Sequence, residues 1–252
     1  MKIIIPQNIF ASIFAFVVSK ELHANIEVKP ASMITSELES GSYDLALIPS
    51  LDLLKHNDLF VSSKTAISFD GPISNSYLYF IPEQANVESV LLRGDVSINE
   101  IVLSKILFSE SYKINPEIKL DSGEIDFENN NYLISGNENL EHLIKRNGVS
   151  FSESLAEIIN YPYSNFIFAA KDQNKITEFN SLISNIDENI DDKLDTIVSQ
   201  LSLKSEIVSF LKNNINSVYY EMTENEITGL HETMRLVFYH GIGEEIKEIR
   251  FV

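Results

Sequence analysis

Residues 2–20 read KIIIPQNIFASIFAFVVSK, and the assignment of this stretch decides the fold. A secretory leader needs a basic start, an apolar run and a small-residue cleavage site. Lys2 and the run from Ile9 to Val18 imitate the first two. Pro6 and Gln7 interrupt the apolar character early, however, and Ser19-Lys20-Glu21 follows with no A-x-A pattern close behind. The run is also shorter than the ~20 apolar residues that a membrane-spanning helix requires. The stretch reads better as a buried strand (Ile3 to Ile5), a turn at Pro6-Gln7-Asn8 and a helix from Ile9 to His23. Asn8 is its N-cap, because a side-chain oxygen there accepts a free amide of the first turn. This reading predicts a cytoplasmic protein whose opening residues belong to its core.

The rest of the composition narrows the function classes. A chain of 252 residues can bury a substantial core in one large domain or two lobes. Cysteine is absent, which excludes disulfides, thiolate metal sites and cysteine nucleophiles. The formal net charge is −18, so the chain repels a phosphate backbone or an anionic lipid surface. An anionic ligand can still be held by local dipoles. The five histidines (23, 56, 142, 231 and 240) are scattered, with no i, i+4 pair suited to a metal. No P-loop or dinucleotide glycine fingerprint is present.

Working outward, short apolar strands alternate with helical segments over the first two thirds, the pattern of an α/β domain. Strands are predicted at 25–30, 43–49, 59–63, 65–71, 76–82, 89–94, 116–121, 131–136 and 165–171. Helices are predicted at 32–41, 50–57 (capped by Ser50), 97–110, 137–146 and 151–160. From about residue 173 the pattern is helical only. Its clearest helix is 223–239, where Thr223 and Glu226 have capping-box spacing. Two α/β sets finished by C-terminal helices predict a two-lobed clamp. Lobe 1 is expected to comprise 1–82 and 172–252, and lobe 2 to comprise 83–171. Ligands in such folds sit at the carboxyl ends of strands, where loops and helix N-termini converge.

Several segments carry a family resemblance. GSYDLALIPSLDLL (41–54), followed by TAISFDGPISNSYLYF (65–80), resembles the chorismate dehydratase family of the futalosine route to menaquinone. That family has a Gly-x-x-Asp-x-x-Leu-x-Pro-Ser run, then Gly-Pro-x-x-Ser at the start of a strand. NYLISGNENL (131–140), FSESLAEIINYPYSNFIFAAKD (151–172) and FLKNNINSVYYEMTENEITGLHETM (210–234) resemble later family segments, in the same order. The resemblance implies the type 2 periplasmic-binding-protein fold. It also implies elimination of water from chorismate to give 3-[(1-carboxyvinyl)oxy]benzoate, with no metal or organic cofactor.

Chorismate is a dianion, and its carboxylates need donors in an acidic protein. The resemblance places Ser50 and Ser76 among the ligand contacts, with Asn75 taking the second role if the register slips by one. Ser97 and Asn99 open the helix where the family has a Ser-Arg-Thr-Ser run; Ile98 stands at the Arg position and Glu100 adds a negative charge. Gly136 and Asn137 form the turn after a buried strand. The family's active-site Asn follows strand one. Ungapped matching puts Phe10 there, and a two-residue shift puts Asn8 there. Asn8 and Ser76 are thus the expected catalytic residues, and Ser50, Asn75, Ser97, Asn99, Gly136 and Asn137 the expected substrate contacts. A binding protein of the same fold that holds a small carboxylate without converting it is the alternative.

Overall fold

The computed structural model describes all residues except 23, 144, 202, 244, 246 and 247. His23, expected to end the first helix, lies outside the described residues. Strand β1 (Lys2–Pro6) contains three consecutive isoleucines, each at most 1% exposed, between the parallel strands β2 (Asn25–Lys29) and β3 (Leu45–Pro49). An unbroken apolar, β-branched run suits a strand covered on both faces. Parallel neighbours need crossovers. Helices α1 (Ile9–Leu22) and α2 (Ala31–Glu39) supply them. Residues 2–22 are therefore the first strand and helix of the fold, as the sequence predicts.

The chain continues through β4 (Phe60–Phe69) into a second sheet: β5 (Ser76–Tyr79), β6 (Ser89–Gly94), α3 (Ile98–Leu107), β7 (Glu117–Leu120), β8 (Asn131–Ser135), α4 (Leu140–Leu143) and β9 (Val149–Ser150). Helix α5 (Phe151–Ile159) leads back to β10 (Tyr163–Ala170). Then come α6 (Gln173–Leu182), α7 (Ile186–Gln200), α8 (Ser205–Asn214), β11 (Val218–Glu221), α9 (Glu224–Tyr239) and β12 (Arg250–Phe251). The first sheet runs β11-β4-β10-β3-β1-β2, with β12 also paired to β4; the second runs β7-β6-β8-β5-β9. The chain thus passes between sheets at 70–75 and again after residue 150. Both crossings come earlier in the sequence than the divisions expected at 82 and 171.

Other differences have local causes. The strands expected at 59–63 and 65–71 are one strand, β4, because its pairing with β10 absorbs the irregularity as register shifts. The tail after 173 is not purely helical: β11 and β12 return to β4, a pairing across the sheet that local periodicity does not reveal. Of residues 50–57, only Ser50–Leu54 are helical, a five-residue 3-10 turn in which Ser50 is the first turn residue and Pro49 the cap. The helix expected at 137–146 divides into a 3-10 turn, Gly136–Asn139, and the short α4.

One apolar core lies between the first sheet and helices α1, α6, α7 and α8. A second covers the opposite face and is continuous with the other sheet. It joins Ile4, Ile48 and Ile167 of the first sheet to Leu78, Leu92 and Leu133 of the second through α3, α5 and α9. Gly229 fixes how α9 crosses this region: a Cβ there would lie 2.2 Å from the carbonyl oxygen of Pro162. In an open helix Gly→Ala is stabilising by roughly 0.5–1 kcal/mol. Gly229→Ala reverses that sign here, because backbone must move to admit the methyl; a loss of about 1–3 kcal/mol is expected from overpacking. Urea unfolding followed by circular dichroism measures it, and a stabilised variant would refute this account of the crossing.

Candidate ligand site between the two sheets

The carboxyl ends of β1 and β3 face those of β6 and β8, and the loops that follow interlock. Asn8 caps α1, its Oδ1 accepting from the Ala11 amide at 2.8 Å. Phe10 points elsewhere: it is buried in the first core, edge-on to Phe69 with ring centroids 4.9 Å apart. Of the two, Asn8 lies in the loop between β1 and α1, and Phe10 belongs to the apolar core.

Across the seam, Asp95 follows β6 and its Oδ1 accepts the Ala31 amide at the start of α2, at 2.7 Å. Asn99 is fully buried in α3. Its Oδ1 accepts the Leu51 amide at 3.0 Å, and its Nδ2 donates to the Asn165 carbonyl at 2.7 Å and to Asn165 Oδ1 at 2.9 Å. Helix N-termini of one sheet are thus filled by polar side chains from the other. Gly136 has φ +69°, and a Cβ there would lie 2.8 Å from Asp95 Cβ and 3.4 Å from the Gln7 carbonyl. Only a residue without a side chain lets the two loops approach this closely. The Gly136 amide donates to the Asn75 carbonyl at 2.9 Å, tying the turn to the start of β5.

Ser76 and Ser97 meet at Glu100. The Ser97 amide and hydroxyl donate to Glu100 Oε2 at 2.9 and 2.6 Å, while the Ser97 oxygen accepts the Asn99 amide. This is a capping box. Ser76 Oγ donates to Glu100 Oε1 at 3.0 Å and lies 2.9 Å from Ser135 Oγ. The charge read from the sequence as unfavourable for an anionic ligand is therefore a structural cap, and it occupies two expected ligand contacts. Tyr163 donates to Asn165 at 3.2 Å. Burial holds the Tyr163 hydroxyl well above its usual range, and the nearby Glu100 charge adds to this, while the Asn99 and Ser50 side chains beside it oppose the rise.

Seven expected site residues meet at this seam: Asn8, Ser50, Asn75, Ser76, Ser97, Asn99 and Gly136. All are buried. Asn137 is exposed instead and lines a separate cavity of about 310 Å³ with Ile9, Ser12 and Lys204. Among the described residues, seven buried side-chain polar atoms lack a hydrogen-bond partner. Five belong to the seam: Asn8 Nδ2, Ser50 Oγ, both amide atoms of Asn75, and Asp95 Oδ2. Buried polar atoms are nearly always paired, so such a concentration marks the seam as a place where water or a bound molecule would complete the bonding. Arg93, at the end of β6, does not replace the Arg absent at position 98; its guanidinium pairs with Asp121 and Glu138. The sequence reading did not single out Asp95. Its signal was available: a Gly-Asp turn closing a buried strand, just before a helix cap.

No protein-family model matches the sequence, and no curated protein matches it. Solved structures do resemble it. The chain aligns with protein AF1704 of Archaeoglobus fulgidus at a TM-score of 0.71, with 12% identity, covering 96% of this chain and 97% of that one. The alkanesulfonate-binding protein SsuA of Xanthomonas axonopodis pv. citri, solved bound to MOPS, aligns at 0.65, with 10% identity and coverage of 100% and 97%. The CA3427 gene product of Candida albicans, described as exhibiting the generic periplasmic binding protein structural fold, aligns at 0.57, with 12% identity and coverage of 97% and 91%. The chain has that fold, an α/β clamp of two sheets with helices at its carboxyl end. Among the described residues, no helix is long and apolar enough to cross a membrane.

Burial pushes the Asp95 carboxyl from its ordinary 3.8 up to about 6; the Ala31 amide opposes this, and the Glu100 charge reinforces it. A carboxyl raised on folding binds its proton more tightly in the native state, so its contribution is complete below pH ~4 and is lost as pH rises through ~6. The loss is roughly 2–3 kcal/mol after allowance for partial solvent screening. Asp95→Asn keeps an acceptor for Ala31 and does not titrate. In urea unfolding, the variant's advantage over the unsubstituted protein should be about 2 kcal/mol larger at pH 7.5 than at pH 4.5. An equal difference at both values would rule out a raised Asp95.

Proposed function

We propose that this protein is a clamp for a small carboxylate, held between the two sheets by Asn8, Ser50 and Asn75. The observation that carries the reading is the set of buried, unpartnered polar atoms at the seam. Asn8 Nδ2, Ser50 Oγ and Asn75 Nδ2 are neutral donors, which suits an anion in a protein of net charge −18. The fold supports the same reading, since such clamps hold their ligands between the lobes. The interlocked loops would keep water from the bound molecule.

A second, more specific reading makes the carboxylate chorismate and the reaction its dehydration. Asn8 supports it, standing after strand one where the resemblance puts an active-site Asn. In this reaction a ring C–H bond and the neighbouring C–OH bond break, a ring double bond forms, and water departs. One group must take or give a proton. Asp95, raised to about 6, populates both forms near neutrality, and its Oδ2 makes no hydrogen bond of good geometry, although the Gln7 amide lies close enough to oppose the rise. It is the residue proposed to move that proton. Glu100 favours binding without turnover, because it occupies Ser76 and Ser97.

Chorismate incubated with the purified protein distinguishes the readings. Under the dehydratase reading, 3-[(1-carboxyvinyl)oxy]benzoate accumulates above a buffer control, and Asp95→Asn lowers the rate at least about tenfold. Calorimetric binding of a carboxylate without product supports the clamp alone. In either case Asn8→Ala should weaken binding about tenfold, the loss of one charge-assisted hydrogen bond. A protein that neither binds nor converts any carboxylate would end both readings.

A further inference from the structure

Beside the seam lies an open groove of about 640 Å³, the size of a pocket for a ring-sized molecule. It adjoins the proposed site: Pro49 and Leu51, the chain neighbours of Ser50, line it, and so does Ser97. Its walls are apolar, built from Leu51, Leu54, Val96, Ile98, Ile101 and Val102. Leu120 and Ile242 stand at its rim, 71% and 44% exposed. Solvent-exposed apolar side chains gathered around a concave apolar surface mark a place where apolar ligand surface is covered. Among the described residues, the charged groups lining it are Asp52, Lys55 and Glu245, a net negative set. Asp52 is engaged by the Thr35 hydroxyl. A second carboxylate reaching into the groove would meet two acids and one lysine.

We propose that the ligand is a monocarboxylate with an apolar body, its carboxylate at the seam and its body in this groove, selected by Ile98. The inference rests on the clamp reading, not on the dehydration reading. Ile98 is the first residue of α3 and sits between Ser97 at the seam and the groove it lines. Its side chain gives the body an apolar contact where a polar or cationic residue would favour a second charge.

Titration calorimetry of the whole protein with acetate, benzoate, 3-phenylpropanoate and succinate tests this. 3-Phenylpropanoate should bind at least about tenfold more tightly than acetate, with a negative heat-capacity change, and more tightly than succinate. Ile98→Ser should remove about tenfold of the 3-phenylpropanoate affinity and leave acetate unchanged, so acetate binding reports that the variant is folded. Ile98→Arg should raise succinate above 3-phenylpropanoate. Equal affinities for acetate and 3-phenylpropanoate, tighter binding of succinate by the unsubstituted protein, or turnover of chorismate would overturn the inference and leave the clamp standing. Failure of all four acids to bind would overturn both.

Discussion

The amide of Asn99 is the contact on which the arrangement of the two halves turns. It belongs to the second half, yet its oxygen completes the backbone of the 3-10 turn that ends β3, and its nitrogen completes Asn165 in β10. A buried amide with every bond made fixes orientation as well as proximity, because a small rotation leaves several polar groups unpaired. Asp95 at the start of α2 and Gly136 against Gln7 repeat the principle at the next two loops. The apolar core shared through α3, α5 and α9 supplies the attraction, and these polar contacts set the register.

The same economy explains how an acidic protein could hold an anion. Fixed dipoles and amide donors attract negative charge without adding a cation. Here some of those donors are already occupied by Asp95, Asn99 and Glu100, and in the proposed clamp Asn8, Ser50 and Asn75 are the ones left for the carboxylate. The division is uneven: the side of the seam toward α3 is closed by the protein's own acids, while the loop after β1 and the start of β5 keep free amides.

Much of this was legible in the sequence, and the limits are instructive. The isoleucine run, the Asn8 cap, the Thr223–Glu226 box and the alternation of strands and helices are local signals, and they hold. Seven of the expected residues gather at the seam because strand ends and helix starts are locally marked. What failed was non-local. The return of β11 and β12 to β4 depends on partners more than 140 residues away in the chain, as the pairing of Val218 with Phe69 shows. The sheet to which β5 belongs is set by its antiparallel pairing with β8. Glu100 carries the sequence signature of a cap as clearly as Glu226 does, yet near a suspected ligand site its charge suggested conflict. Asn137 was grouped with Gly136 by adjacency, but the turn sends it to solvent.

The position of β10 has a further consequence, for the order in which the molecule assembles. The second sheet is drawn from one continuous stretch, β5 to β9, and all its pairings are available once that stretch has been made. The first sheet is not: β10 lies between β3 and β4, so β1 to β4 cannot close their ladder until more than 160 residues have emerged. Long-range pairing of this kind is slow, because a large loop must close before any contact forms. The half that begins the chain is therefore completed last. Until then β1 has its partners β2 and β3 but not β10 or helices α6, α7 and α8, so Ile3 and Ile5 are incompletely covered and this edge of the molecule is in most need of protection during synthesis.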